Sequence, residues 1–339
     1  MTSARLIEIE DSFVEINDTF YERGWTDGLP IVPPTEAAVA AMLAGSGRDR
    51  DEVVGILAPR QGEATVEKVA INAVMAGCQP EYLPVVLAAV EAVADPAFNL
   101  DGVQATTHPV APLIVVNGPI ARRLAINSGY NCFGQGFRAN ATIGRALRLV
   151  LMNIGGGIPG SGDRSTQGSP SKFAYCVAEN ETANPWGPLH LERGYSSDTS
   201  TVTVIGCEAP HNIQDHYSNT GLGVLQNVAG AMGQAGSNNL LRHGNPLLSL
   251  GPEHAATIAA DGYDKASIRE YVFEHARYPI DRLSPEYGEV LRAMNRDEVA
   301  ARIIERPEDL LVIVAGGSGK HSCWHPTFGG YTKPVTKVV

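Results

Sequence analysis

The chain has 339 residues, of which 44% are hydrophobic and 19% are charged, with 36 glycines and 22 prolines. This composition is typical of a globular protein with a sizeable core and excludes a disordered or fibrous chain. The formal net charge of -11, without a Lys- or Arg-rich block, excludes a nucleic-acid-binding role, because phosphate binding requires clustered positive charge.

The sequence also predicts a cytoplasmic protein that does not enter a membrane. The start, MTSARLIEIEDSF, has no basic stretch followed by an apolar core, as a secretory signal would. The longest apolar runs, residues 83–93 and 143–152, are shorter than the roughly 20 residues that a membrane span needs. Five widely spaced cysteines are an odd number, which favours free thiols over disulfides.

Residues 1–50 are predicted to form an N-terminal helix and a proline-rich arm. Residues 20–34, FYERGWTDGLPIVPP, favour an extended conformation because proline disfavours helix. We expect this arm to cross another part of the fold or a neighbouring subunit, which would make the protein a homo-oligomer. Thr35 then predicts the N-cap of a helix over residues 36–43.

Strands and helices alternate after the arm. A strand is predicted over residues 53–57, followed by helices over residues 64–75 and 80–93. Two later segments are similar to each other: PLIVVNGPIARRLAINSGY at 112–130 and PLLSLGPEHAATIAADGY at 246–263. Each is typical of an apolar strand, a Gly-Pro turn and a short helix that ends at glycine.

This similarity predicts an α/β protein built from two diverged strand-turn-helix repeats, with parallel or mixed sheets and helices packed on them. The first repeat would span residues 51–207 and the second residues 208–339. After each copy, the apolar segments 201–212 and 310–322 would form equivalent strands that end in a glycine turn. The long Gly/Ser/Pro stretch over residues 153–190 is either a functional loop or an exposed linker.

Ligands of α/β proteins bind outside the carboxyl ends of the strands, so the turns there are candidate sites. If Pro210 begins a helix, Glu208, His211 and Asp215 lie on one helical face, which suits a divalent metal such as zinc or iron. Cys207 would precede that helix, where a thiolate is stabilised. The alternative is a capped helix with a solvated acidic face.

The second Gly-Pro turn is followed by Glu253 and His254, where the first copy has apolar residues. This difference favours a functional role, with His254 as a general base or ligand, over a surface pair. After the next apolar strand, the sequence AGGSGKHSCWHPTFGG contains further candidates. Its glycines would let backbone amides bind an anion and its lysine would pair with that anion. His321, Cys323 and His325 would instead be catalytic or ligating, and the alternative is a structural turn. The predicted anion-binding residues are Gly316, Gly317, Ser318, Gly319 and Lys320.

A fourth group could also bind an anionic substrate. Arg138 and Arg145 lie at the entrance of a predicted helix, and Asp163 and Lys172 lie in the long Gly/Ser/Pro stretch. His108 precedes the first repeat strand, at the end opposite the predicted site, and ranks lower for that reason.

The segments WTDGLPIVPPT, MAGCQPEYLPVVLAAVEA, GPEHAATIAADGYDK and VAGGSGKHS resemble a bacterial family known as UGSC (seleno)proteins and their associated subunits. The resemblance spans nearly the whole chain and implies cysteine- or selenocysteine-linked redox chemistry with a small partner subunit. This sequence departs from the family name, because it has no Cys-Gly-Ser-Cys and its nearest analogue is Ser318-Gly-Lys-His-Ser-Cys323.

The sequence therefore predicts a small-molecule enzyme whose site lies between the two repeats. Its predicted chemistry is thiol-assisted redox or bond cleavage on an anionic substrate, with Cys207, His254 and His321 meeting in one cavity. One alternative is a metal-dependent hydrolase or lyase that uses Glu208, His211 and Asp215. The other is a non-catalytic subunit that binds substrate for a partner carrying a thiol or selenol.

Overall fold

The computed structural model describes residues 6–294 and 299–339, in which helices and strands alternate as expected for an α/β protein. The helices are α1 (Phe13–Glu22), α2 (Glu36–Ala44), α3 (Val66–Ala76), α4 (Leu83–Ala94), α5 (Leu100–Ala105), α6 (Pro119–Arg123), α7 (Arg138–Asn153), α8 (Leu189–Glu192), α9 (Gly221–Met232), α10 (Asn238–Arg242), α11 (Pro252–Ala260), α12 (Lys265–His275) and α13 (Pro285–Ala293). The strands are β1 (Val53–Leu57), β2 (Gly62–Thr65), β3 (Ala111–Asn117), β4 (Cys176–Ala178), β5 (Thr201–Cys207), β6 (His211–Gln214), β7 (Leu247–Leu250), β8 (Arg277–Pro279), β9 (Ala300–Arg302), β10 (Leu311–Val314), β11 (His321–His325) and β12 (Val335–Val338).

Two four-stranded sheets, which we call sheet one and sheet two, form the centre of the fold. Sheet one has the strand order β12-β5-β3-β4, and sheet two has the order β10-β7-β11-β6. In each sheet the strand before a Gly-Pro turn, β3 or β7, has a parallel neighbour on one side and an antiparallel neighbour on the other. The two sheets are therefore mixed, and strands β1-β2 and β8-β9 form separate antiparallel pairs.

The molecule has four layers, because both faces of each sheet are apolar. Along β3, Ile114 packs with helices α3, α4 and α7, whereas Leu113 and Val115 face the other way. There they meet Leu247 and Ile313 of sheet two. The outer face of sheet two packs in turn against α9, α11 and α12. The order of layers is helices, sheet one, sheet two, helices, and such two-sided burial explains why β3 and β5 are continuous apolar runs.

We name the edge at which β3, β4, β7 and β10 end the upper edge, and the opposite one the lower edge. The upper edges adjoin, since Asn180 N–H donates to the carbonyl of Val314 over 2.7 Å. At the lower edge the chain exchanges sheets. Strand β5 leads into β6 of sheet two and β11 leads into β12 of sheet one, and the two connections cross at a bridge between Cys207 and Thr327.

This exchange corrects one predicted equivalence. Strand β5 is antiparallel to β3, whereas β10 is parallel to β7, so β5 matches β11 rather than β10 in its pairing. Strand β12 also lies in sheet one, although its residues fall within the predicted second repeat. A common origin of the two halves stays a prediction.

Several predictions of local structure from the sequence are confirmed. The Thr35 hydroxyl caps α2 by accepting a hydrogen bond from Ala38 N–H, and β1 has the predicted bounds. Pro119 and Pro252 begin α6 and α11 directly after their glycines. The stretch 153–190 contains β4 and part of α8, which sequence reasoning missed.

The proline-rich arm lies against the chain's own helices. The Asp27 carboxylate accepts two hydrogen bonds from the Arg145 guanidinium of α7, each 2.8 Å long. Nearby, Asn153 donates to the carbonyl of Trp25, and Val32 N–H donates to the carbonyl of Met75 in α3. The arm therefore packs on the helical layer outside sheet one.

Within the two described ranges, no single helix is long and apolar enough to cross a membrane. One bent pair, Pro80–Ala94 with Pro96–Ala105 at 68°, meets the length and composition criteria only when the two are taken together.

Candidate functional site

The candidate site lies at the upper edge of sheet two, where the turns after β6, β7 and β10 meet. In the turn over residues 315–320, Gly316 and Gly319 have φ values of 122° and 135°, which favour glycine. Gly251 follows β7 and packs tightly on β11, because a Cβ there would lie 2.1 Å from the carbonyl oxygen of His321. This packing places His321 at the surface between the turns.

Three exposed side chains form a hydrogen-bonded chain on this surface. Asn212 of β6 lies opposite Cys323 in the β-ladder, and its Oδ1 is 2.9 Å from Nδ1 of His321. Nε2 of His321 is 3.0 Å from Nε2 of His216. Because an amide oxygen only accepts, Nδ1 of His321 carries a proton, and in the neutral ring Nε2 therefore directs a lone pair at His216. We call Asn212, His216 and His321 the histidine chain; all three are exposed, so a ligand can reach them.

Two opposite charges lie beside the histidine chain. Nζ of Lys320 is 3.5 Å from the carbonyl oxygen of His216 and 3.3 Å from that of Ser218. Gly319 N–H donates a 2.7 Å hydrogen bond to the carboxylate of Glu253. The turn predicted to bind an anion therefore already binds one, the side chain of Glu253. An external anion would have to replace this carboxylate at Gly319.

The remaining predicted anion-binding residues of the turn have other contacts. Gly316 N–H donates to the carbonyl of Ser128 over 2.9 Å. A Cβ on Gly317 would lie 2.1 Å from the ring of Tyr130, so this glycine allows the ring to pack on the turn. Ser318 is exposed. The first two positions thus anchor the turn to the segment after α6, and only the later part of the turn is available to a ligand.

His254 lies under the histidine chain but is 1% exposed. Its Nδ1 is 2.8 Å from Oγ of Ser322, which accepts from Gly251 N–H, and its Nε2 is 3.1 Å from the carbonyl of Asp215. Burial lowers the pKa of His254, so the ring is neutral and both its nitrogens are engaged. In this structure His254 joins α11, β11 and the turn after β6, and its role as a general base stays a prediction.

The prediction that Cys207 is a thiolate is wrong. Residue 207 ends β5 at the lower edge, where it is fully buried, and the chain then continues toward β6 rather than a helix. Burial, followed by the charge of Glu208, raises its pKa well above the ordinary value. Cys207 therefore lies at the opposite edge from His254 and His321, so the predicted convergence of the three does not occur.

Cys323 is the one cysteine in the described ranges that is not fully buried. It lies on β11 two residues after His321, so their side chains share the face of sheet two that is turned toward sheet one. Burial raises the pKa of Cys323 to about 11, and that of Cys132, with which it interacts electrostatically, also to about 11. Both groups are protonated thiols near neutral pH.

The predicted helical metal site is wrong because residues 211–214 form an edge strand. Glu208 pairs with His108 over 2.8 Å, and His211 lies beside Trp324. The carboxylate of Asp215 accepts hydrogen bonds from Tyr217 N–H, Ser218 N–H and Asn227. Although burial raises the pKa of Asp215, these bonds lower it to about 2. In the described ranges, no group of three or more His, Cys, Asp or Glu side chains is arranged to hold a metal.

The predicted anion-binding residues outside the turn are paired elsewhere. Arg138 donates to the carbonyl of Gly77, and Arg145 is held by Asp27 in the helical layer outside sheet one. Nζ of Lys172 is 2.6 Å from the carboxylate of Asp163. None of these four predicted residues (Arg138, Arg145, Asp163 and Lys172) has a contact with the histidine chain among the described hydrogen bonds.

A polar network lies between the two sheets, and of its members only His325 was a candidate from the sequence. Tyr175 Oη is 2.6 Å from Nδ1 of His325, and Nε2 of His325 is 2.9 Å from Oγ of Ser249, which donates to the carbonyl of Cys323. The Tyr175 hydroxyl also lies 2.9 Å from the carbonyl of Glu208, so its single proton is shared between that carbonyl and Nδ1 of His325. Burial lowers the pKa of His325 to about 3 and keeps it neutral. The alternation in HSCWH was the available signal for an inward-facing residue 325.

A second buried polar cluster lies at the upper edge of sheet one, around Glu179. The Glu179 carboxylate accepts from Asn117, Asn184 and Leu189 N–H, and burial raises its pKa. His190 is 1% exposed and lies 3.8 Å from the carboxylate of Glu181, and among the described residues neither of its ring nitrogens has a hydrogen-bond partner. In the sequence, the signal for this cluster was the presence of charged residues in a long Gly-rich stretch. Their burial depends on β4, which was not predicted.

Neither a protein-family model nor a curated protein matches this chain. The site therefore has to be interpreted from its own chemistry.

Proposed function

We propose that this protein is a small-molecule enzyme that performs acid–base chemistry on an anionic substrate at the upper edge of sheet two. The observation that carries the proposal is the histidine chain. Asn212 fixes the tautomer of His321, and His216 shares a proton with it, in an arrangement that orients a general base and gives it a proton partner. Elsewhere, His254 and His325 are buried and have both nitrogens engaged.

An anionic substrate is supported by the charges at the rim of the site. The ammonium of Lys320 contacts only backbone carbonyls among its described hydrogen bonds, so it is available to a carboxylate or phosphate. Gly319 N–H already donates to a carboxylate, that of Glu253. A substrate anion that replaced this carboxylate would lie between Lys320 and the histidine chain.

The thiol in this proposal is Cys323 rather than Cys207. It shares a sheet face with His321 and is protonated at rest, so it would need the imidazole as a base before it could act as a nucleophile. Thiol-assisted redox or bond cleavage thus depends on the same histidine.

A turnover screen tests the proposal even though the substrate is unidentified. The purified protein is incubated with a defined set of small carboxylates and phosphates, and consumption is followed by mass spectrometry. We expect H321Q and K320M to abolish or strongly reduce the consumption of any compound that the unaltered protein converts. The matched controls H211Q, at the lower end of the neighbouring strand β6, and K333M, an exposed lysine, should retain it. Full activity in H321Q would contradict the proposal.

A second candidate is a non-catalytic subunit that binds substrate for a partner carrying a thiol or selenol. The observation that favours it is that burial raises the pKa of every cysteine, so this chain supplies no thiolate near neutral pH. Under this proposal the turnover screen gives no conversion alone, and conversion begins when a purified thiol-bearing partner is added. Conversion by the isolated chain would exclude it.

A further inference from the structure

The two imidazoles of the histidine chain have a separation that also suits a shared metal ion. Their Nε2 atoms are 3.0 Å apart, and the planes of the rings are 80° apart. Two imidazole nitrogens bound to one tetrahedral ion, with metal–nitrogen bonds of about 2.0–2.1 Å, are separated by roughly 3.3 Å. A shift of a few tenths of an ångström would bring both Nε2 atoms to this separation, and His216 would give up its Nε2 proton and carry its ring proton on Nδ1 instead.

Asn212 supplies an independent observation that points the same way. Its Oδ1 accepts from Nδ1–H of His321, so that Nε2 of this ring is left with a lone pair directed at the shared point. Metal-binding histidines commonly donate their other ring N–H to such an oxygen, which fixes both the tautomer and the ring orientation. Both Asn212 and His321 lie on paired strands, so their separation is set by the β-ladder.

We propose that His216 and His321 bind a divalent transition-metal ion that prefers imidazole, such as zinc, nickel or copper. In the described ranges no third His, Cys, Asp or Glu completes the site, so solvent or a bound ligand takes the other positions. The nearby ammonium of Lys320 repels the metal ion, so an anionic ligand that bridges the ammonium and the metal would stabilise the bound ion.

Metal binding at this pair has a consequence for the proposed enzyme. The ion takes the lone pair that His321 needs as a base, so bound zinc would inhibit acid–base turnover. This regulatory consequence depends on the proposed function, whereas metal binding itself does not.

Titration of the chelator-treated full chain with Zn²⁺, Ni²⁺ and Co²⁺, followed by calorimetry and by the visible spectrum of Co²⁺, tests the proposal. We expect one saturable site, about 10-fold or greater loss of affinity in H216Q and H321Q, and about 10-fold loss in N212A. The exposed-histidine controls H211Q and H275Q should bind as the unaltered protein does. Thermal unfolding of each variant shows that it is folded.

Each outcome separates the two proposals. Absence of saturable binding, or binding by H216Q or H321Q that is as tight as binding by the unaltered protein, would overturn the metal site even if the turnover screen succeeds. Saturable binding that requires both histidines supports the metal site even if no compound is converted.

Discussion

Replacing His325 with glutamine tests the buried network between the sheets through the pH dependence of stability. Burial lowers the pKa of His325 from 6.5 to about 3, so the folded protein keeps the ring neutral over this range. The unfolded chain, with the ordinary pKa, binds a proton there. The contribution of His325 to stability is therefore complete above pH 6.5 and is lost as the pH falls toward 3.

The size of this effect follows from the pKa difference. One pKa unit corresponds to about 1.4 kcal/mol, and pH 5 lies about 1.5 units below the unfolded pKa. His325 should therefore make the free energy of unfolding fall by about 2 kcal/mol between pH 7 and pH 5. Glutamine can donate and accept hydrogen bonds but does not titrate, so H325Q should lack this part of the decline. Imperfect hydrogen bonds in H325Q should lower its stability at pH 7 by about 1–3 kcal/mol.

Urea denaturation at pH 7, 6 and 5, followed by tryptophan fluorescence, measures both effects. The comparison uses H275Q as a variant of an exposed histidine at the end of α12. His190 and His254, whose pKa values burial also lowers, are present in all three proteins and contribute equally. If H325Q lost as much stability between pH 7 and pH 5 as H275Q, the reasoning about the buried neutral imidazole would be refuted.

Three further predictions concern thiols and buried pairs. Alkylation of the native protein should modify Cys323 well before Cys207, because Cys207 is fully buried. Peptide mass spectrometry measures the order of labelling, and preferential labelling of Cys207 would contradict its burial. D27N should lower the free energy of unfolding by about 3 kcal/mol, because it leaves the Arg145 guanidinium without its carboxylate. Y175F should lower the free energy of unfolding by about 1–3 kcal/mol, because it removes the hydroxyl that bonds both Nδ1 of His325 and the carbonyl of Glu208.

Matched exposed positions serve as controls for the last two predictions. D198N removes an exposed carboxylate, and Y217F removes the hydroxyl of a tyrosine that is 86% exposed. Each should change the free energy of unfolding by less than about 0.5 kcal/mol in urea denaturation. If D198N and Y217F lowered the free energy of unfolding as much as D27N and Y175F do, burial would not be the cause of the loss of stability.

The α/β class and much of the candidate site were predictable because they depend on local signals. The Thr35 cap, the Gly-Pro turns and the apolar strands are local features, and each is present in the structure. The rule that ligands bind at the carboxyl ends of strands also predicted that Glu253 and His321 lie near the glycine turn. They do, because the turns after β7 and β10 lie at one edge of the sheet.

The predictions that failed concern residues whose position is set by strand pairing between segments that are distant in the sequence. Pro210 predicted a helix, but residues 211–214 gain an edge position beside β11, which lies more than a hundred residues later. The same exchange of strands between sheets buries Cys207 at the lower edge and leaves Asn212 and His216 beside His321. Nothing near these residues in the sequence indicates which sheet they join.

The most direct test of the proposed site is a histidine-selective NMR titration with the first compound that the turnover screen identifies. The nine histidines report on every candidate location, including the lower edge through His108 and the upper edge of sheet one through His190. We predict that His216 and His321 shift first and most, and that N212A weakens their response. Larger shifts at His108 or His190, with His321 unchanged, would contradict the central claim.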